Sequence, residues 1–262
     1  MAPPVVQTYQ TVLAPVADQL PWPGAPTTAT DAWHARFPLR FPRWGFGDAW
    51  ITLAGALVFS VGAGLLLLVD SQSQSWQKIV ILLSLVAQWI PMLGWPLLVT
   101  RWKGNGAVLD LGLALRRMDI PWGLVGGVAA LVSATAVGVV TQKIFGDFDS
   151  SAGELLTQFK SDTVSLLLLA LGVGIIAPIV EEVCFRGMFW GALAKRGVNP
   201  WWVTIWTSVA FAAFHLEPVR FPLLLVTGLI LGYLRQRTGR LGAGIVAHMV
   251  NNLVAVAGLF VV

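Results

Sequence analysis

Three short polar clusters interrupt apolar stretches in the last third of the chain, and their spacing limits the chemistry they could do. The first is Val180-Glu181-Glu182-Val183-Cys184-Phe185-Arg186-Gly187. On a helix, Glu182 and Arg186 are four apart, so they share a face and can form an ion pair. Glu181 is rotated from Glu182 by about 100° and is the carboxylate left over for chemistry. A glutamate held away from water takes up a proton more readily, which suits a general base near neutral pH. The second cluster is Phe211-Ala212-Ala213-Phe214-His215, and the third is His248-Met249-Val250-Asn251-Asn252. His248 and Asn252 share a face at four-residue spacing, and Asn251, at three, competes for it. A lone histidine on an apolar helix is more often a hydrogen-bonded core residue than a catalyst. Two histidines, an asparagine and a glutamate pair within four successive segments weigh the other way.

The elements that must position these groups are membrane helices. The chain has 262 residues, 56% hydrophobic and 11% charged, with a mean hydropathy of +0.74. A soluble domain carries about 25% charged residues, so this surface is not built to face water throughout. The expected fold is all-α, a polytopic transmembrane bundle of seven spans, with eight as the alternative count. The apolar segments lie at 48–69, 77–99, 121–142, 163–185, 201–216, 219–234 and 241–261. Residues 1–45, rich in proline, read as a mobile cytoplasmic tail. Residues 46–160 read as amino-terminal membrane helices and 161–262 as the catalytic core. Arg36, Arg40 and Arg43, interleaved with Phe37, Phe41 and Trp44, suit a lipid headgroup region.

The net charge of +4 does not point to nucleic acid, because the charges sit singly or in pairs between apolar runs rather than as a stripe. They do orient the chain. Arg101, Lys103, Arg116, Arg117, Lys195, Arg196, Arg235, Arg237 and Arg240 lie in alternate loops on the side of the amino terminus. Lys78, Lys143, Lys160 and Arg220 lie in the others. The positive-inside rule then places the amino terminus in the cytoplasm, and the expected location is a plasma (inner) membrane. Gly123 with Gly127, Gly187 with Gly191, and Gly228 with Gly232 are small pairs that let helix backbones approach closely.

Buried charge makes the first cluster expensive. Two glutamates and an arginine left unpaired at a span centre would cost roughly 8–10 kcal/mol on membrane-insertion scales. They must therefore be paired, solvated in a cavity or protonated. Counting helix rise, Glu181 lies about 20 Å from the cytoplasmic edge at Lys195, and His215 lies at about the same depth from Pro200. His248 lies only about 10 Å in from Leu241, so tilt or an inward-dipping loop must close the gap. Other protease chemistries find no support. The chain has no His-Glu-x-x-His helix and no Gly-x-Ser-x-Gly elbow. Gly45-Phe46-Gly47-Asp48 resembles the Gly-x-Gly-Asp motif of intramembrane aspartyl proteases, but lacks a second intramembrane aspartate and reads as a helix start with Asp48 near its dipole. Cys184, the single cysteine, reads as a small apolar-like residue.

Glu-Glu-x-x-x-Arg, then Phe-x-x-x-His, then His-x-x-x-Asn on successive helices resembles the CAAX-protease and bacteriocin-processing family, which includes the type II CAAX prenyl endopeptidases. The motifs here are Glu181-Glu182 with Arg186, Phe211 with His215, and His248 with Asn252, within about residues 160–255. The resemblance implies an intramembrane endopeptidase with a glutamate-activated water. Glu181 would be the general base assisted by His215, and His248 with Asn252 would stabilise the oxyanion. Glu182 and Arg186 would hold the helix geometry. It implies a peptide or protein substrate near the cytoplasmic half of the membrane, lipidated (CAAX-like) or membrane-embedded. No cofactor is expected; the alternative is zinc at Glu181, His215 and His248. Competing functions are a non-catalytic binding or immunity protein and a small proton-coupled transporter.

Overall fold

The computed structural model describes residues 20–70, 73–148, 151–160 and 162–261, and every regular element among them is helical. A short α1 (Thr27–His34) precedes α2 (Phe46–Gly64) and α3 (Gln74–Lys103). A single helical turn or so, α4 (Ala107–Leu111), leads into α5 (Asp119–Phe145), and the short α6 (Ser151–Gln158) follows. One continuous helix then runs from Thr163 to Ala194: α7 (Thr163–Leu171), a π-helical turn (Gly172–Ile176), α8 (Ala177–Glu182), a second π-helical turn (Val183–Phe189) and α9 (Trp190–Ala194). The chain closes with α10 (Pro200–Phe214), α11 (Phe221–Thr238) and α12 (Gly242–Val261).

Among the described residues, four helices are long and apolar enough to cross a membrane: Phe46–Leu68, Gln74–Lys103, Asp119–Phe145 and Thr163–Ala194. Gly242–Ala257 is a shorter apolar helix. Only 17–39% of the apolar window of each long helix is buried inside the protein, so most of that surface faces outward. Val58, Leu68, Val125 and Val132 are exposed. An apolar belt of this extent is stable against lipid rather than water. α10 spans only about 22 Å at 1.5 Å per residue, less than a bilayer core of about 30 Å.

The small-residue pairs do bring helices together. A Cβ built on Gly123 would sit 2.5 Å from Val246 Cβ, and one on Gly127 would sit 2.7 Å from Val250 Cβ, so α5 lies directly on α12. Gly232 meets Thr204 of α10 in the same way, and Gly191 meets the ring of Trp44. Gly127→Leu is expected to force α5 from α12 and cost about 1–3 kcal/mol, the usual range for overpacking. Unfolding of the purified variant in detergent measures this, and an unshifted midpoint would contradict the packing described.

The expected mobile tail is in part folded, for a physical reason. Residues 1–19 lie outside the described residues, but Trp22, Trp33 and Trp44 are all buried. Thr27 N–H donates to Gly239 O at 3.0 Å, and Trp44 Nε1 donates to Asp110 Oδ2 at 2.8 Å. Three large aromatic rings supply burial that offsets what the prolines forfeit in hydrogen bonding. Trp44 is therefore a core residue, while Phe37 and Phe41 remain exposed. Lys195 donates to the carbonyls of Pro42 and Trp44 and lies over the Trp44 ring; burial pushes its pKa down to about 8. Asp48 accepts from Gly45 N–H at 3.0 Å, as a first-turn carboxylate does, and pairs with Lys103 at 2.7 Å.

Candidate active site

Glu181 and Glu182 end α8, between the two π-helical turns. Such widened turns disturb the regular backbone ladder, and here both contain a carbonyl that accepts from another helix. Asn252 Nδ2 donates to Val173 O at 2.9 Å, and Arg235 Nε donates to Arg186 O at 3.0 Å. The π turns thus tie the glutamate helix to α12 on one side of the pair and to α11 on the other.

The two glutamates occupy different environments. Glu182 and Arg186 are both fully buried, with Arg186 Nη1 donating to Glu182 Oε1 at 3.0 Å. Arg186 Nη2 donates to Gly228 O at 2.9 Å, and its guanidinium lies 4.5 Å from the centre of the Phe211 ring. Gly228 allows this approach, since a Cβ there would stand 3.3 Å from Nη2. Glu181 instead keeps 17% of its side chain exposed and lines a cavity of about 930 Å³. His215, His248, Asn251 and Asn252 line the same cavity.

His248 stands between the carboxylates. Its Nε2 is 3.7 Å from Glu181 Oε2 and its Nδ1 is 3.4 Å from Glu182 Oε1. Neither contact is aligned as a hydrogen bond among the described residues. His215 caps the end of α10, with Nδ1 2.8 Å from Phe211 O. A carbonyl only accepts, so Nδ1 carries the hydrogen and Nε2 is the basic nitrogen of the neutral ring. The Phe211 ring makes edge contacts with both histidines, at 4.8 Å from His215 and 5.6 Å from His248. Asn252 has one amide hydrogen committed to Val173, which leaves the second for the cavity, and Asn251 Nδ2 reaches Asn252 Oδ1 at 3.3 Å.

The depth difference expected for His248 disappears for a simple reason. Leu241, just before α12, packs beside Gly187, eight residues short of Lys195. At 1.5 Å per residue that offset is about 12 Å, so the two helices begin at different levels and their polar residues meet.

One member of the cluster was expected elsewhere. Arg235, read from sequence as a loop charge, belongs to α11 and is buried. The last apolar segment before it ends early in sequence because of this arginine, yet the helix runs on to Thr238. Its signal is the stripe Gly228, Leu231, Gly232, Arg235, whose spacing marks one buried helix face. Two carboxylates and two guanidiniums therefore share the buried region. The zinc alternative does not fit. Among the described residues no three His, Cys, Asp or Glu side chains are arranged to hold a metal ion, and the two nitrogens of His248 turn to different glutamates.

Residues 163–254, the segment that bears the site, match the family model described as type II CAAX prenyl endopeptidase Rce1-like. The chain is 30% identical over 149 residues, 56% of its length, to YdiL of Bacillus subtilis (strain 168), a provisionally assigned membrane peptidase. It is 27% identical over 149 residues, 52% of its length, to the membrane-embedded CAAX protease MroQ of Staphylococcus aureus (strain USA300). The chain covers just over half, 57%, of each of these relatives. No solved structure matches it significantly.

Proposed function

We propose that this protein is an intramembrane endopeptidase in which Glu181 activates water. The observation that carries this reading is the division between the two glutamates: Glu182 is consumed by Arg186 behind the cavity, whereas Glu181 faces into it beside His248. Glu181 takes a proton from water as the oxygen attacks the peptide carbonyl carbon, with His215 Nε2 assisting in holding that water. The tetrahedral oxyanion is met by an N–H of His248 and the second amide hydrogen of Asn252. Donors fixed in advance toward developing charge supply a large share of catalysis in such sites. When the carbon–nitrogen bond breaks, Glu181 returns the proton to the leaving amine, so protons balance over the cycle.

The substrate is a peptide, lipidated or embedded in the membrane, as the name of the matched family and the apolar cavity walls both suggest. We take the membrane to be a plasma membrane; the amino terminus lies on its cytoplasmic side, since Arg101, Lys103, Arg116, Arg117, Arg196 and Arg237 all lie at one end of the bundle. The test is direct. Purified protein in detergent, given a library of lipidated and unlipidated peptides, is expected to yield fragments cut at a defined bond by mass spectrometry. Recovery of every peptide intact would defeat the reading and favour a binding role for the cavity.

A further inference from the structure

The cavity has a direction that the family assignment does not supply. The cavity opens toward one end of the bundle. α10 contributes its last turn (Phe211, Phe214) and α11 its first turns (Leu223, Thr227), while α5 (Leu131, Ala134) and α12 (His248, Asn252, Val256) line it along their middle stretches. The rim consists of Ser151, Glu154 and Gln158 of α6 together with Glu217 and Arg220 from the turn before α11. Those rim residues are exposed or half-buried, and Glu217 Oε1 accepts from Ser151 N–H at 2.9 Å, joining the two parts of the rim.

The other direction is plugged. Behind Glu181 lie Glu182, Phe185, Arg186, Leu111, Leu231 and Leu241, each at most 1% exposed. The plug is where the chain's arginine-rich turns gather, since α9, α4 and the α11–α12 turn meet there: Leu241 N–H donates to Gly112 O at 2.8 Å. By the positive-inside rule that end is cytoplasmic.

Resting on the peptidase reading and its orientation, we infer that the site takes its peptide from the extracytoplasmic face, through the mouth between α6 and the α10–α11 turn. The substrate is then a peptide whose cleavage point is exposed on, or translocated to, that side, with apolar residues flanking the scissile bond to lie against Trp89, Leu131 and Leu223. A carboxyl-terminal tail presented from the cytoplasm meets the plug instead. This replaces the expectation of cleavage near the cytoplasmic half.

Two thiol reporters in the full chain test the inference, with buried Cys184 retained. Gln158→Cys stands at the mouth and Arg237→Cys at the opposite end. In intact cells, a membrane-impermeant maleimide is expected to label Gln158→Cys and to spare Arg237→Cys; the reverse pattern would overturn the sidedness. In detergent, a bulky maleimide on Gln158→Cys is expected to slow peptide cleavage roughly a hundredfold relative to the same unlabelled variant, the scale of losing attack geometry. Labelled Arg237→Cys keeps its rate. Unchanged cleavage by labelled Gln158→Cys would overturn the mouth. Unmodified protein that cleaves nothing in detergent would instead count against hydrolysis, while the labelling in cells still decides the sidedness.

Discussion

Glu181→Gln is expected to hydrolyse peptide about 10²–10⁴-fold more slowly than the unaltered protein, the usual contribution of a general base, with its melting temperature unchanged. The substitution keeps size and hydrogen-bonding shape but removes the proton acceptor. Glu181 can be changed without structural loss because it is the partly exposed glutamate, whose ion-pair partner among the described residues is His248 Nε2 at 3.7 Å. Glu182 gives the contrast. Removing its charge leaves Arg186 fully buried beside a neutral group, so Glu182→Gln is expected to lower the melting temperature before any kinetic effect is considered. Initial rates on one cleavable peptide, alongside thermal unfolding of both variants, separate the two. Near-normal turnover by Glu181→Gln would remove it from the base role.

The second large effect is on stability. Arg186→Met is expected to cost about 3–5 kcal/mol, because it strips the buried Glu182 carboxylate of its hydrogen-bonded counter-charge. Arg235 offsets this only in part: its charge acts on Glu182 from a distance, while its Nε donates to the Arg186 carbonyl. The double variant Glu182→Leu with Arg186→Met removes both charges and is expected to recover most of the loss, as replacement of buried pairs by apolar groups often does. Denaturant titration of the two single variants and the double one closes a thermodynamic cycle. Losses that simply add would mean that the two side chains act independently.

Much of the frame was readable from hydropathy. The expected spans at 48–69, 77–99 and 121–142 fall within a few residues of Phe46–Leu68, Gln74–Lys103 and Asp119–Phe145. The fourth, 163–185, stops at Arg186; the helix continues to Ala194 because that charge pairs with Glu182 inside the protein. Pairing at four-residue spacing needs only local helix geometry, and the Glu182–Arg186 contact was legible for that reason. What pattern alone could not reveal depends on tertiary contact. The packing of Trp22, Trp33 and Trp44 against distant turns, the burial of Arg235, and the side on which the cavity opens each require knowing which helix lies beside which. The tie of Asn252 to the carbonyl of Val173, a residue far from it in sequence, is another contact of this kind.

The π-helical turns on either side of the glutamates carry a consequence for how this gene can change. Each holds more residues per turn than an α-helix, so each can give up a residue by narrowing toward an α-helix with little change in the phase of its flanks. The regular helix between them, Ala177–Glu182, has no such slack, and a one-codon deletion there that left both π-helical turns in place would swing everything on one side by about 100° relative to the other. That rotation would trade the positions of neighbouring side chains such as Glu181 and Glu182. Lineages of this protein should accordingly accept substitutions around the glutamates far more readily than length changes between the two π-helical turns, and alignment gaps should collect in the loops and spare residues 177–182.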